Sequence, residues 1–162
     1  MENLKIYYTN TSVTSDEILK DLLGKDFIKN EQYSFKDKYY SVTHCDDHLL
    51  VALSNSPLGI DLEKIGVRRE RIEKEIFHSN ERKLIKDGKD FTKIWTLKEA
   101  YGKLLGIGIQ KRLHSIDLSK GIDHNEFMKE GYYFIVMEYL DYLCSLVTIA
   151  KTEGISFIKW KN

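Results

Sequence analysis

Proline and cysteine are scarce in this chain: its 162 residues hold one proline and two cysteines. With only Pro57 and no Ser- or Gly-rich stretch, no linker is evident, and one domain over residues 1–162 is expected. Cys45 and Cys144 are too few for a disulfide framework, which points to reduced thiols and a cytoplasmic protein. A charge surplus is missing too, because 25 Lys and Arg balance 25 Asp and Glu. Binders of bulk nucleic acid carry a basic excess, so that class is disfavoured. No apolar run approaches the roughly 20 residues that span a bilayer. Residues 1–5 lack the basic and apolar regions of a signal peptide, so neither membrane nor export is expected. What remains is an ordinary globular composition, 42% hydrophobic and 31% charged, which excludes intrinsic disorder.

The apolar pattern predicts alternating strands and short helices. Residues 4–8 read as a first strand. Ser15 is placed to cap a helix carrying Ile18, Leu19, Leu22 and Leu23, with Gly24 as its stop. Residues 33–42 read as extended chain broken by a basic turn at Lys36, Asp37 and Lys38. Residues 48–54 and 58–65 read as two strands joined at Pro57, and a hairpin is expected. Beyond Gly66 the pattern turns helical: residues 68–76, a short helix capped by Ser79 and ended by Gly88, then residues 91–105. Phe91, Ile94, Trp95, Leu97, Tyr101 and Leu104 cover much of that last helix, which is expected to be central. Residues 114–118, 132–139, 142–150 and 155–160 then suggest an antiparallel meander. The fold class is therefore α+β, in halves of about 1–65 and 66–162.

Four segments carry side chains suited to chemistry. In Gly59-Ile60-Asp61-Leu62-Glu63 strand alternation sends Asp61 and Glu63 to one face and Ile60 and Leu62 to the other. Paired carboxylates suit a hard cation such as Mg²⁺, although a wet strand face has the same pattern. In Trp95-Thr96-Leu97-Lys98-Glu99-Ala100-Tyr101-Gly102-Lys103, Glu99 and Lys103 share a helix face. They form either a routine surface pair or a polar stripe lining a cleft. Gly106 and Gly108 in the following Leu105-Gly106-Ile107-Gly108-Ile109 allow close approach of a ligand. The third segment runs from Ser41 to His48 and mixes His, Cys and Asp. Its contiguous residues cannot converge on one ion, so zinc is disfavoured, while His44 alone remains a donor for phosphate. The fourth, Phe77-His78-Ser79-Asn80-Glu81, reads as ordinary helix capping.

In order and separation, these pieces resemble the 4′-phosphopantetheinyl transferases. That family carries G-I-D-hydrophobic-E, then F-x-x-x-E, then W-x-x-K-E-A-x-x-K, matched here by residues 59–63, 77–81 and 95–103. Ser41-Val42-Thr43-His44-Cys45 is similar to the family's S-x-S-H-S, and Pro57 shortly before Gly59 is also typical. The resemblance covers residues 38–116.

The resemblance implies transfer of phosphopantetheine from coenzyme A to a serine of an acyl or peptidyl carrier protein, releasing adenosine 3′,5′-bisphosphate. It implies Mg²⁺ held by Asp61, Glu63 and Glu99. Lys103 would face the pyrophosphate, and Lys38, Thr43 and His44 would contact coenzyme A. Glu99, Lys103 and Glu81 are the implied catalytic set, Glu81 in a supporting role. The serine proton would go to Glu99 or to a water on the metal. The nucleophile belongs to the partner, which accounts for the lack of a catalytic triad. Arg68, Arg69, Arg71, Lys111 and Arg112 either contribute to a surface that reads the carrier or form a solvated face. The fold implied is two α+β halves with antiparallel sheets related by a pseudo-two-fold, in a monomer. Departures are the missing G-K-P before Ser41, Thr43 and Cys45 in place of serines, and a short stretch before Lys38. They leave a non-catalytic binder of coenzyme A or a carrier protein as the alternative.

Overall fold

The computed structural model describes residues 2–10, 12–30, 33–108 and 111–161, with backbone alone at Glu2, Asn3 and Lys111. The chain opens with β1 (Glu2–Asn10) and α1 (Ser15–Leu23), followed by β2 (Ser34–Phe35), β3 (Lys38–Cys45), β4 (His48–Ser54) and β5 (Leu58–Lys64). Three helices come next, α2 (Glu70–Ile76), α3 (Ser79–Leu84) and α4 (Gly88–Leu104). A 3-10 turn (Lys111–Ser115) and α5 (Lys120–Asp123) lead into β6 (Glu126–Lys129), β7 (Tyr132–Tyr139), β8 (Tyr142–Thr148) and β9 (Thr152–Lys159). The expected α+β class holds: two sheets, ordered β2-β3-β4-β1-β9 and β5-β8-β7-β6, with the helices outside them.

Period-two alternation sorts the apolar residues into layers. On β4, Leu50 and Ala52 point into a core shared with Ile60 and Leu62 of β5 and with Cys144 and Leu146 of β8. Their neighbours Leu49 and Val51 face the other way, onto Ile18 and Leu19 of α1. On β8, Leu143 and Val147 face Phe91, Ile94 and Leu97 of α4. The order is therefore α1, first sheet, second sheet, α4. Every residue of β8 is buried, as its place in the middle of this stack requires.

The pairing departs from the expected hairpin. β4 pairs with β1 and β3, whereas β5 pairs with β8, Asp61 standing opposite Ser145. Both faces of β5 are covered, Ile60 and Leu62 by the first sheet and Gly59 by α4, so after Pro57 the chain crosses between layers. β9 likewise leaves the expected meander and lies parallel to β1 at the edge of the first sheet. The sheets consequently do not divide the chain at residue 65.

Smaller differences have local causes. Thr14 rather than Ser15 caps α1, in a capping box with Glu17. His78 rather than Ser79 caps α3 in the same way with Glu81. Gly88 begins α4 instead of ending α3, because the Asp87 carboxylate accepts from the amides of Lys89 and Asp90. Residues 114–118 are not a strand: the carbonyls of Leu113 and Ile116 converge on the ammonium of Lys98, which requires a turn. Gly106 and Gly108 adopt φ of 67° and 60° in the left-handed region, so conformation alone demands glycine there. Ile109 lies outside the described residues.

Candidate active site

The site begins with a contact only glycine permits. A Cβ on Gly59 would stand 1.9 Å from the Ala100 carbonyl oxygen and 2.7 Å from the Leu104 amide nitrogen. The bare backbone of β5 thus lies directly on α4. Two residues further along, Asp61 meets the face of α4 that carries Glu99 and Lys103. Lys103 Nζ donates to Asp61 Oδ1 at 2.8 Å, to the Ile60 carbonyl at 3.0 Å and to the Val42 carbonyl at 3.3 Å. Glu63 accepts from Trp95 Nε1 at 3.2 Å. Trp95 is in turn covered by Arg69, whose guanidinium lies 5.2 Å from its ring and 5.3 Å from that of Phe91.

Crowding three carboxylates in a half-dry site has an electrostatic cost. Burial pushes the Glu99 carboxyl up to about 7, helped by the charges of Asp61 and Glu63 and opposed by Lys103 and Arg69. Burial likewise pushes Asp61 up to about 6, with Lys103 the main opposing influence. Asp61 is 5% exposed, and its Oδ2 is buried without a hydrogen-bond partner. Among the described residues no three His, Cys, Asp or Glu side chains converge on one point. The donor set still suits a hard divalent cation: all oxygen, more than one negative charge, and one orphaned carboxylate oxygen.

Lys103 also borders an open cleft of about 670 Å³, together with Lys29, Val42, His44 and Leu49. His44 is exposed there, and three nitrogen cations or donors (Lys29, His44, Lys103) face one Asp46. The cleft is fit for an anion larger than a single phosphate.

Other expected site residues are tied to partners within the fold. Lys38 sits at the far end of β3, donates to Asn55 Oδ1 and lines a separate cleft with Lys5 and Lys36. The Thr43 side chain is buried, and its hydroxyl accepts from the Leu62 amide at 3.0 Å and donates to Asp61 at 3.2 Å. Glu81 is fully buried beside Lys98, with Oε1 and Nζ 3.0 Å apart. It accepts from the amides of Leu118 at 2.6 Å and His78 at 2.7 Å. Burial raises the Glu81 carboxyl and lowers the Lys98 ammonium, the behaviour of a structural ion pair in a dry place. Of the basic residues expected to meet a partner, Arg68 pairs with Glu73 and Arg71 with Glu75, while Arg112 is exposed. The Lys111 side chain lies outside the described residues.

Three residues that sequence reasoning passed over matter here. Lys98 occupies the apolar stripe of Ile94, Leu97 and Tyr101, where a lysine signals a buried partner. Ser41 shares strand parity with Thr43, and Trp95 holds Glu63.

The chain is similar to known proteins. The family model of the 4′-phosphopantetheinyl transferase superfamily matches residues 57–140. The 4′-phosphopantetheinyl transferase gsp of Aneurinibacillus migulanus is 29% identical over 128 residues, covering 74% of this chain and 52% of that protein. The chain spans about half the length of this curated relative.

Proposed function

The chain belongs to the 4′-phosphopantetheinyl transferase superfamily, and from that premise we propose that it transfers the 4′-phosphopantetheine group of coenzyme A to a serine hydroxyl of an acyl or peptidyl carrier protein. Adenosine 3′,5′-bisphosphate is the leaving product. The observation that supports this reading is the ion pair of Asp61 with Lys103 at the β5–α4 crossing, where the charges of Asp61 and Glu63 act on Glu99, beside a cleft edged by basic groups. In phosphoryl transfer the enzyme chiefly positions the reactants and offsets charge on the phosphoryl oxygens.

Asp61, Glu63 and Glu99 are the residues that would hold Mg²⁺. When bound, the ion supplies charge neutralisation at the pyrophosphate. Lys103 adds a fixed positive charge on the cleft side of Asp61, and His44 donates to a phosphate of coenzyme A. Glu99, at the β5–α4 crossing, is the candidate acceptor for the proton of the incoming serine. Lys98 and Glu81 act at a distance: they tie the turn after α4 to the helix that carries Glu99. Among the described residues no helix is long and apolar enough to cross a membrane.

Mass spectrometry of an apo carrier protein incubated with the chain, coenzyme A and Mg²⁺ tests the proposal. One added phosphopantetheine is expected, lost with a chelator and restored by Mg²⁺. A panel of fatty-acid, polyketide and nonribosomal-peptide carriers identifies the acceptor. Tight binding of coenzyme A with no mass change on any carrier would favour a non-catalytic binder instead.

A further inference from the structure

Strands β3 and β5 each present a free edge to the other, since β5 has β8 only on its far side and β2 covers just the start of β3. Unpaired edge groups in a buried place need partners. The groups at issue are the amides of Ile60 and Leu62, alternate positions that point away from β8. Backbone pairing does not satisfy them. Ser41 Oγ accepts from Ile60 N at 3.1 Å and Thr43 Oγ1 from Leu62 N at 3.0 Å. Side chains two residues apart on one strand thus meet amides two residues apart on the other. Lys103 completes the seam by taking the Ile60 and Val42 carbonyls. The Thr43 rung does one thing more. While Thr43 Oγ1 accepts from Leu62, its proton goes to Asp61 Oδ1 at 3.2 Å, on the oxygen that Lys103 also holds. Both donors lie on Oδ1, so Oδ2 is the oxygen left without a partner.

We propose that Ser41 and Thr43 form a side-chain ladder that closes the β3–β5 seam, and that Thr43 is a positioning residue orienting Asp61 rather than a ligand of coenzyme A. Thr43 is 4% exposed, and its hydroxyl is taken up by the Leu62 amide and Asp61. Ser41, Val42 and His44 are the residues of β3 that line the cleft, the Ser41 hydroxyl accepting from the Ile60 amide.

Amide hydrogen exchange followed by NMR tests the ladder without any activity. In the wild type, the amides of Ile60 and Leu62 should be protected despite lying on a free edge. Thr43→Val, which keeps the shape, should speed Leu62 exchange about tenfold, the scale of one lost hydrogen bond. Thr43→Ser should restore it, and Ser41→Ala should act on Ile60 instead. A second arm rests on the proposed function. In the transfer reaction Thr43→Val should raise the Mg²⁺ half-saturation several-fold with the coenzyme A KM unchanged, and Thr43→Ser should recover the wild-type value. Unprotected Ile60 and Leu62 amides in the wild type would overturn the ladder. A raised coenzyme A KM with unaltered Mg²⁺ dependence would overturn the positioning role. If the wild type transfers nothing, the proposed function fails, while the exchange measurements still decide the ladder.

Discussion

Asp61 and Glu99 have carboxyls held at about 6 and about 7, above the range such groups have in an unfolded chain. Between roughly pH 4 and pH 7 the folded protein therefore binds more protons than the unfolded chain. Stability should fall as pH rises across that window and level off above it. Asp117, held down at about 2, acts in the opposite sense and only below about pH 4. Thermal melts of the metal-free protein from pH 5 to 8 should show the decline, and Asp61→Asn should flatten it. A melting temperature that climbs with pH would contradict the charge crowding described here. The pair Glu81–Lys98 gives a second expectation. Removing one partner of a buried ion pair strands the other, at a cost of ~3–5 kcal/mol. Urea unfolding of Lys98→Met should show a loss of that size, and Glu81→Leu combined with Lys98→Met should recover a good part of it.

At the scale of elements, the β5–α4 crossing depends on Gly59. A methyl there meets backbone, which cannot rotate away, so Gly59→Ala should cost at least the ~1–3 kcal/mol of ordinary overpacking. Transfer should fall further than stability, because β5 carries Asp61 and Glu63 while α4 carries Glu99. Denaturation and activity measured on one sample check both. Much of this arrangement was legible in the sequence. Alternation put Asp61 and Glu63 on one face of β5, and helical spacing put Glu99 and Lys103 together on α4. Pairing was not legible. Periodicity says which face a strand buries but not which strand lies beside it, so nothing in residues 48–65 foretold that β5 would join β8 or that β9 would lie parallel to β1. Nor could motif matching reveal the groups that hold Glu81 and Thr43. Their roles depend on Lys98 and on the Leu62 amide, partners 17 and 19 residues away that only the fold brings near.

Across the whole molecule, the neutral sum of charges conceals local order. The charges of Asp61 and Glu63 act on Glu99 at the crossing, while Lys29, His44 and Lys103 edge the adjoining cleft. We propose that the protein acts as a monomer, with Asp61 of β5 and Lys103 of α4 meeting within one chain. Sedimentation should report a single species near 19.0 kDa, and a stable trimer would contradict this. The central claim is that the carboxylates at the β5–α4 crossing carry the transfer. The most direct test is the rate of phosphopantetheine addition by Asp61→Ala and Glu99→Ala, each shown by circular dichroism to keep the wild-type fold. The account predicts that both lose activity by at least about a hundredfold, the low end of what a group acting on transition-state charge contributes. Transfer at the wild-type rate by either folded variant would contradict it.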